Sequence, residues 1–354
     1  MVGRALSTRT IDTRAPGKLL LTGEYAVLTG APAVVVSVGA RATASLAPSP
    51  GMQLNVDGQP FPFSIDDRGC LHWPKPPPAG RGELLEAVVA ELWSTRSVDN
   101  PSPVEIRLDS SEFSMSTADG QSLKLGLGSS AAVLSALLAA LNRVWDIGLD
   151  TGALCTVGCA AHRRFQGGRG SGVDVATAVH GGVLVLGMDG AGPSGQPEAL
   201  HWPEGLQLVM VWSGHSASTP GMIARLDAFR ARRPAQARRH LDTLTDRAEM
   251  AVDAWRASDV ERIMASTRAY FDALRVMDRE AGIGIVTAAH EQLRALAEHE
   301  AAVYKTSGAG GGDLGFAMTG DPAVAARLRS AFDAAGYPVI DRALAVPGVQ
   351  TGPA

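Results

Sequence analysis

The stretch KLGLGSSAAVLSALLAAL, Lys124–Leu141, decides how the rest of the chain is read. A lysine and two glycines lead into two serines, and a run rich in alanine and leucine follows, the composition of a helix. A helix N-terminus presents free N–H groups and a partial positive charge. Gly126 and Gly128 let another molecule approach the backbone closely. Ser129 and Ser130 stand where a hydroxyl caps a helix, binds phosphate, or holds a Mg²⁺ ion that carries phosphate. A cap accounts for one serine. It leaves Lys124, two glycines and a second serine unexplained, so the loop is read as a phosphate site. The spacing is not the G-x-x-x-x-G-K-[ST] of a Walker loop.

Composition narrows the classes. With 354 residues, 45% of them hydrophobic, the chain is long enough for two domains sharing a cleft. The formal charge of −4 leaves no electrostatic footprint for nucleic acid or a membrane surface. No apolar run approaches the ~20 residues of a membrane span. The first 15 residues are polar, so no signal peptide is expected and a cytoplasmic protein is. Cys70, Cys155 and Cys159 form no disulfide framework; the last two, four apart, are read as small residues on one helix face. Only Lys18, Lys75, Lys124 and Lys305 are lysines, against 28 arginines. Three of the four sit at glycine-rich motifs, and lysine is a compact charge suited to phosphate.

Along the chain, strand-like runs dominate residues 11–48, a helical pattern fills 82–95, and SPVEIRLDSSE alternates like a strand. DTGALCTVGCAAHRRFQ reads as a helix and GGVLVLGM as a strand. Residues 189–204, rich in glycine and proline, are the linker candidate. Beyond it come the strand LQLVMVWSG, a helical stretch from about Gly221 to Ala281, a helix in IGIVTAAHEQLRALAEH, a strand–glycine loop–strand unit, another helix, and a last strand in YPVIDRAL. This mixture predicts an α+β protein, with domains at 1–190 and 191–354.

Three further motifs carry chemistry. KTSGAGGGDLG, Lys305–Gly315, holds five glycines in the eight residues from Gly308, a cost in chain entropy that implies close backbone contact with something. APGKLLLTGEY puts Lys18 at the start of a strand after Pro-Gly. GRGSGVDVATA places Asp174 after a glycine break, where an aspartate ordinarily caps a helix and a glycine-rich approach also suits a cleft.

Together and in this order, from Ala15 to Gly315, these motifs resemble the GHMP kinase superfamily. The stretch AHRRFQGGRGSGVDVATAVHGG is similar to the phosphomevalonate kinase form of the motif, and LKLGLGSSAA, VWSGHSAST and KTSGAGGGD match that branch too. Mevalonate kinases resemble G-x-P-S-G-x-D-N with an upstream glutamate for Mg²⁺; here Gly170 and Val175 replace the proline and asparagine, and Gln166 stands upstream. The resemblance implies an N-terminal domain like ribosomal protein S5 domain 2 and a ferredoxin-like C-terminal domain. It implies transfer of the γ-phosphoryl of ATP to (R)-5-phosphomevalonate, with mevalonate kinase or another small-molecule GHMP kinase as the alternative. A decarboxylase or a non-catalytic ligand sensor on the same fold is less well matched, because Lys18 and Asp174 are both present.

By the same resemblance, Lys124, Gly126, Leu127, Gly128, Ser129, Ser130 and Ala131 hold the ATP phosphates, and Ser129 or Ser130 is a Mg²⁺ ligand. Lys18 and Asp174 are the catalytic pair. Lys18, His162, Ser171, Gly172, Asp174, Ser218, Thr219, Ser307, Gly308, Ala309 and Gly310 are implied to surround the acceptor, with Lys124 and Arg163 as further candidates. The expected partner is a small phosphorylated molecule, bound by a monomer or homodimer.

Overall fold

The computed structural model describes residues 9–95, 98, 101–116, 122–168, 170–189 and 192–353. The chain opens with two long strands, β1 (Ile11–Thr22) and β2 (Ala33–Pro48), joined through a 3₁₀ turn at Ala26–Thr29. Short strands follow: β3 (Gln53–Val56), β4 (Gln59–Pro62), β5 (Ser64–Ile65) and β6 (Leu71–His72). The stretch from Pro62 to Gly82, whose prolines read as a surface loop, contains the small β5–β6 hairpin. Then come α1 (Glu83–Thr95), β7 (Val104–Asp109), the ribbon of β8 (Ser114–Ser116) and β9 (Ser122–Lys124), and three helices, α2 (Ser129–Val144), α3 (Thr151–Phe165) and α4 (Val173–His180). Strands β10 (Val183–Met188) and β11 (Pro193–Leu200) complete this half.

The first sheet runs β11-β10-β2-β7-β3-β4, and β1 pairs with β2. The β1–β2 register shifts between Pro16 and Gly17, and beyond the shift the Lys18 N–H donates to the Leu127 carbonyl at 2.9 Å. Such an irregularity bends a strand and re-aims its side chains. Here it couples the first motif to the phosphate loop. Helix α2 buries apolar residues around most of its circumference, as a helix packed between a sheet and other helices must.

The second half comprises β12 (Gln207–Trp212), α5 (Thr219–Arg232), α6 (Pro234–Arg256), α7 (Val260–Ala281), α8 (Ala288–His299), β13 (Val303–Thr306), β14 (Leu314–Thr319), α9 (Pro322–Ala334), β15 (Val339–Ile340) and β16 (Gln350–Pro353). Its antiparallel sheet has the order β13-β14-β12-β15. A second apolar core gathers under it, and Tyr25 and Ala26, from the turn after β1, insert into that core. The fold is α+β, as the mixed pattern predicts.

Three expectations are corrected. Residues 189–204 are not simply a linker: Pro193–Leu200 pairs with β10 as an edge strand, a place where proline is tolerated. A division at residue 190 thus separates two paired strands, and the chain changes sheet between Leu200 and Gln207. YPVIDRAL supplies only the two-residue β15; the last strand is β16, which returns to pair with β1. On its way, the chain is tied to the first sheet by Ser37, whose hydroxyl donates to the Val346 carbonyl at 2.6 Å. The helical stretch 221–281 is three helices, broken at Pro234 and around Asp259. Among the described residues, no helix is long and apolar enough to cross a membrane.

Candidate active site

Helix α2 begins as the sequence suggests but without the serine cap. Its N-cap is Gly128, at φ +80°, a left-handed conformation that favours glycine, and no side chain caps the first turn. Ser129 and Ser130 are the first two helical residues, so their N–H groups are available to a bound anion. Helix α4 repeats the pattern: Gly172 is its N-cap, again without a side-chain cap. Asp174 is therefore not a cap. It stands in the first turn of α4, and its Oδ1 accepts the N–H of Val175 at 3.0 Å.

The loop before α2, through Gly126, and the start of α4 border one cleft of about 230 Å³, lined by Lys18, Glu24, Gln166, Gly170, Ser171, Asp174, Thr219, Ser307, Gly308, Ala309 and Asp313, among others. A Cβ on Gly128 would meet Lys18 Cγ at 3.3 Å and Asp174 Cβ at 3.6 Å, so both catalytic candidates lie against the loop. Lys18 Nζ reaches toward Gly308, 3.8 Å from where a Cβ would stand. The hydroxyl of Ser307 donates to the Leu20 carbonyl and accepts the Leu20 N–H, both at 3.0 Å, which zips the glycine loop onto β1. A second pocket of about 190 Å³ lies on the other side of the α2 start, lined by Asn55, Leu84, Lys124, Ser129, Ser130 and Phe165, among others.

Several implied roles shift. His162 is only 2% exposed and spends both ring nitrogens on the protein. Nε2 lies 3.0 Å from Ser130 Oγ and 3.3 Å from Gln166 Nε2; Nδ1 is 3.6 Å from Asp174 Oδ1. The ring thus positions the phosphate loop and Asp174 from behind the wall, with no face left for a substrate. Arg163 lines a different groove, beside Cys155 and Cys159. Ser218 caps α5 by accepting the Gly221 N–H at 3.4 Å, and its neighbour Thr219 lines the cleft. Gly310 packs on Ile285, away from the cleft-lining residues. The cysteines are free, and the described residues hold no cluster of three or more metal-ligating side chains.

Lys305 overturns the expectation that motif lysines meet phosphate. It is fully buried and forms an ion pair with Glu24, while its Nζ also donates to the Thr306 carbonyl at 2.8 Å. Burial lowers its pKa, and Glu24 opposes that shift. Glu24, 2% exposed, also accepts the Gly308 N–H at 3.3 Å, so the pair bolts the first motif to the last. Tyr25 adds a hydrogen bond to the Ala309 carbonyl, and Tyr270 donates to the Glu24 carbonyl at 2.8 Å. His290, fully buried, lies 2.8 Å from the Tyr304 hydroxyl and 3.1 Å from the Gly312 carbonyl, fixing the far end of the glycine loop. Burial lowers its pKa to about 4, so it is neutral near pH 7. Sequence reasoning missed Glu24, Asp313 and His290. The glutamate two residues beyond LLLT and the aspartate closing GAGGGD were in view, but nothing local marks either as facing a cleft.

Comparison with known proteins agrees with this geometry. The family described as GHMP kinases N terminal domain matches residues 87–182. A phosphomevalonate kinase of Streptomyces sp. strain CL190 is 29% identical, over 88% of this chain and 90% of its own. One from Saccharolobus solfataricus is 27% identical, over 94% and 96%. A mevalonate kinase of Archaeoglobus fulgidus is also 27% identical, over 86% and 90%. Streptococcus pneumoniae phosphomevalonate kinase, solved with phosphomevalonate and AMPPNP, superposes with a TM-score of 0.75 at 20% identity, over 94% of this chain and 99% of that one. Residues 87–182 thus match the GHMP kinase N-terminal domain, and the chain is similar over most of its length to phosphomevalonate and mevalonate kinases and shares their fold.

Proposed function

We propose that the protein is a phosphomevalonate kinase, moving the γ-phosphoryl group of ATP onto the phosphate of (R)-5-phosphomevalonate to give the 5-diphosphate and ADP. The observation that carries this reading is the pair of helix N-termini, α2 and α4, both free of side-chain caps: Gly128 of the first lies against Lys18 and Asp174, and Asp174 of the second lines the cleft with Lys18. Each is a place for an anion, and two phosphorylated substrates supply two. The similarity to two phosphomevalonate kinases over most of the chain supports the choice of acceptor.

Phosphoryl transfer needs positioning and charge neutralisation more than covalent chemistry. The N–H groups at the start of α2 hold the nucleotide phosphates, with the nucleoside in the neighbouring pocket beside Lys124. Lys18, between Gly128 and Gly308, meets the charge on the transferred group. A phosphate monoester is already anionic at pH 7, so its oxygen attacks without a strong base. Asp174 then orients Lys18 and the acceptor, and His162 holds Asp174 and Ser130 in place. The oxygen donors here fit a Mg²⁺ ion: Ser130 can donate its proton to His162 and keep its lone pairs free, and Ser129 is adjacent. When bound with ATP, that ion supplies neutralisation of the phosphate charge.

Phosphorus NMR tests the reading. Mixing enzyme, Mg-ATP and (R)-5-phosphomevalonate is expected to replace the monoester resonance with the coupled pair of a diphosphate ester. An unchanged monoester signal while ATP is spent on mevalonate instead would move the assignment to mevalonate kinase.

A further inference from the structure

Asp313 closes the glycine loop at φ +52°, the left-handed region where aspartate and asparagine are tolerated. Three contacts fix it to the segment that precedes α5. Its N–H donates to the His215 carbonyl at 2.6 Å, its carbonyl accepts the Ser213 N–H at 2.8 Å, and its Oδ1 accepts the Ala217 N–H at 3.2 Å. Its other oxygen, Oδ2, faces the phosphate loop: a Cβ on Gly126 would stand 3.0 Å from it and 2.7 Å from Asp313 Cβ. Among the described residues, Oδ2 has no hydrogen-bond or ion-pair partner. Burial raises the Asp313 pKa, and the Ala217 N–H and Lys18 act in the opposite direction.

A carboxylate aimed at a phosphate loop is a contradiction in charge unless a cation comes between them. The cleft already holds Asp174, and Glu24 is neutralised by Lys305. Among the described residues that line the cleft, Lys18 is the one basic side chain left to face two carboxylates and the substrate phosphates. The position upstream of Asp174, where an acid would help to hold a cation, is Gln166. We propose that Asp313 is the protein's carboxylate ligand to the divalent cation that accompanies the nucleotide. This rests on the kinase reading above. Magnesium takes one or two carboxylates with phosphate oxygens and waters, so Asp313 together with a loop serine is a sufficient protein share. The contact with Gly126 also explains why that position has no side chain: a Cβ would fill the space beside the carboxylate.

The test is a titration with Mn²⁺, read by its electron paramagnetic resonance signal, in the presence of AMPPNP and with no acceptor. In the wild-type protein Mn²⁺ is expected to bind the enzyme–AMPPNP complex. Asp313→Asn keeps an acceptor for the Ala217 N–H, so it spares the loop. It is expected to weaken Mn²⁺ binding by about ten-fold or more, while metal-free AMPPNP binds as well or better because a like charge is gone. Asp313→Cys is expected to shift the metal preference from Mg²⁺ toward Cd²⁺, as a soft thiolate ligand does. This ratio is measured within one protein, so it does not depend on the variant's stability. Unchanged Mn²⁺ affinity in Asp313→Asn, or no shift toward Cd²⁺ in Asp313→Cys, overturns the assignment and leaves Asp313 a fastener of the 213–217 segment. Wild-type protein that binds no AMPPNP overturns the kinase reading itself, which separates the two failures.

Discussion

The two helices that start beside Lys18 and Asp174 begin differently from most of the others. Asp150, Ser218, Asp259, Thr287 and Asp321 cap α3, α5, α7, α8 and α9 with a side-chain oxygen. Gly128 and Gly172, which start α2 and α4, offer none, and α6, which starts at Pro234 after Arg233, also lacks a side-chain cap. A side-chain cap contributes about 1 kcal/mol relative to alanine and a few tenths relative to glycine. The molecule forgoes that twice, at the two starts that border Lys18 and Asp174. What stabilises the peripheral helices would compete with the ligand at the central ones.

Four sets of substitutions break or sharpen that contrast. The largest effect is expected at the cleft itself. Lys18→Met or Asp174→Asn should lower kcat by a factor on the order of 10²–10³ with little change in thermal stability, measured by ADP release and by melting. An equal loss of stability would make these residues structural.

Next comes the bolt between the first and last motifs. Glu24→Gln leaves Lys305 buried without its partner and should cost about 3–5 kcal/mol in chemical denaturation. Adding Lys305→Met should recover a large part of that. A double variant no more stable than Glu24→Gln would contradict the pairing as the cause.

His290 gives a pH signature. Its pKa is lowered from 6.5 to about 4 in the fold, so between those values the unfolded chain binds more protons. Stability is therefore expected to fall as pH drops from 6.5 toward 4, by roughly 1.4 kcal/mol per pH unit at the steepest. Urea midpoints at several pH values should show the slope in wild type and a flatter one in His290→Gln. The smallest effect belongs to the periphery. Asp259→Ala should cost about 1 kcal/mol and leave kcat unchanged, the converse of the cleft variants.

Much of this was legible in the sequence where the signal is local. The phosphate loop and its helix lie within a few residues of each other, and α2 starts at Ser129, directly after Gly128. Asp174 announced itself through the glycines before it. The Glu24–Lys305 pair was not legible, because its members are 281 residues apart and each reads as an ordinary charge. Asp313 looked like one more turn residue until the loop met Gly126 across the cleft. His162 was read toward the substrate because its motif is near Asp174, whereas helical phase turns it inward to Ser130. The segment 189–204 reads as linker because edge strands accept glycine and proline. The return of β16 to β1 depends on a pairing with the other end of the chain, which no window of sequence contains.

The most direct test of the central claim is ADP release from Mg-ATP with (R)-5-phosphomevalonate, (R)-mevalonate, galactose, homoserine or no acceptor. Turnover with phosphomevalonate alone, abolished in Lys18→Met, is the predicted result. Turnover with mevalonate and none with phosphomevalonate, or no turnover with any of them despite nucleotide binding, would contradict it.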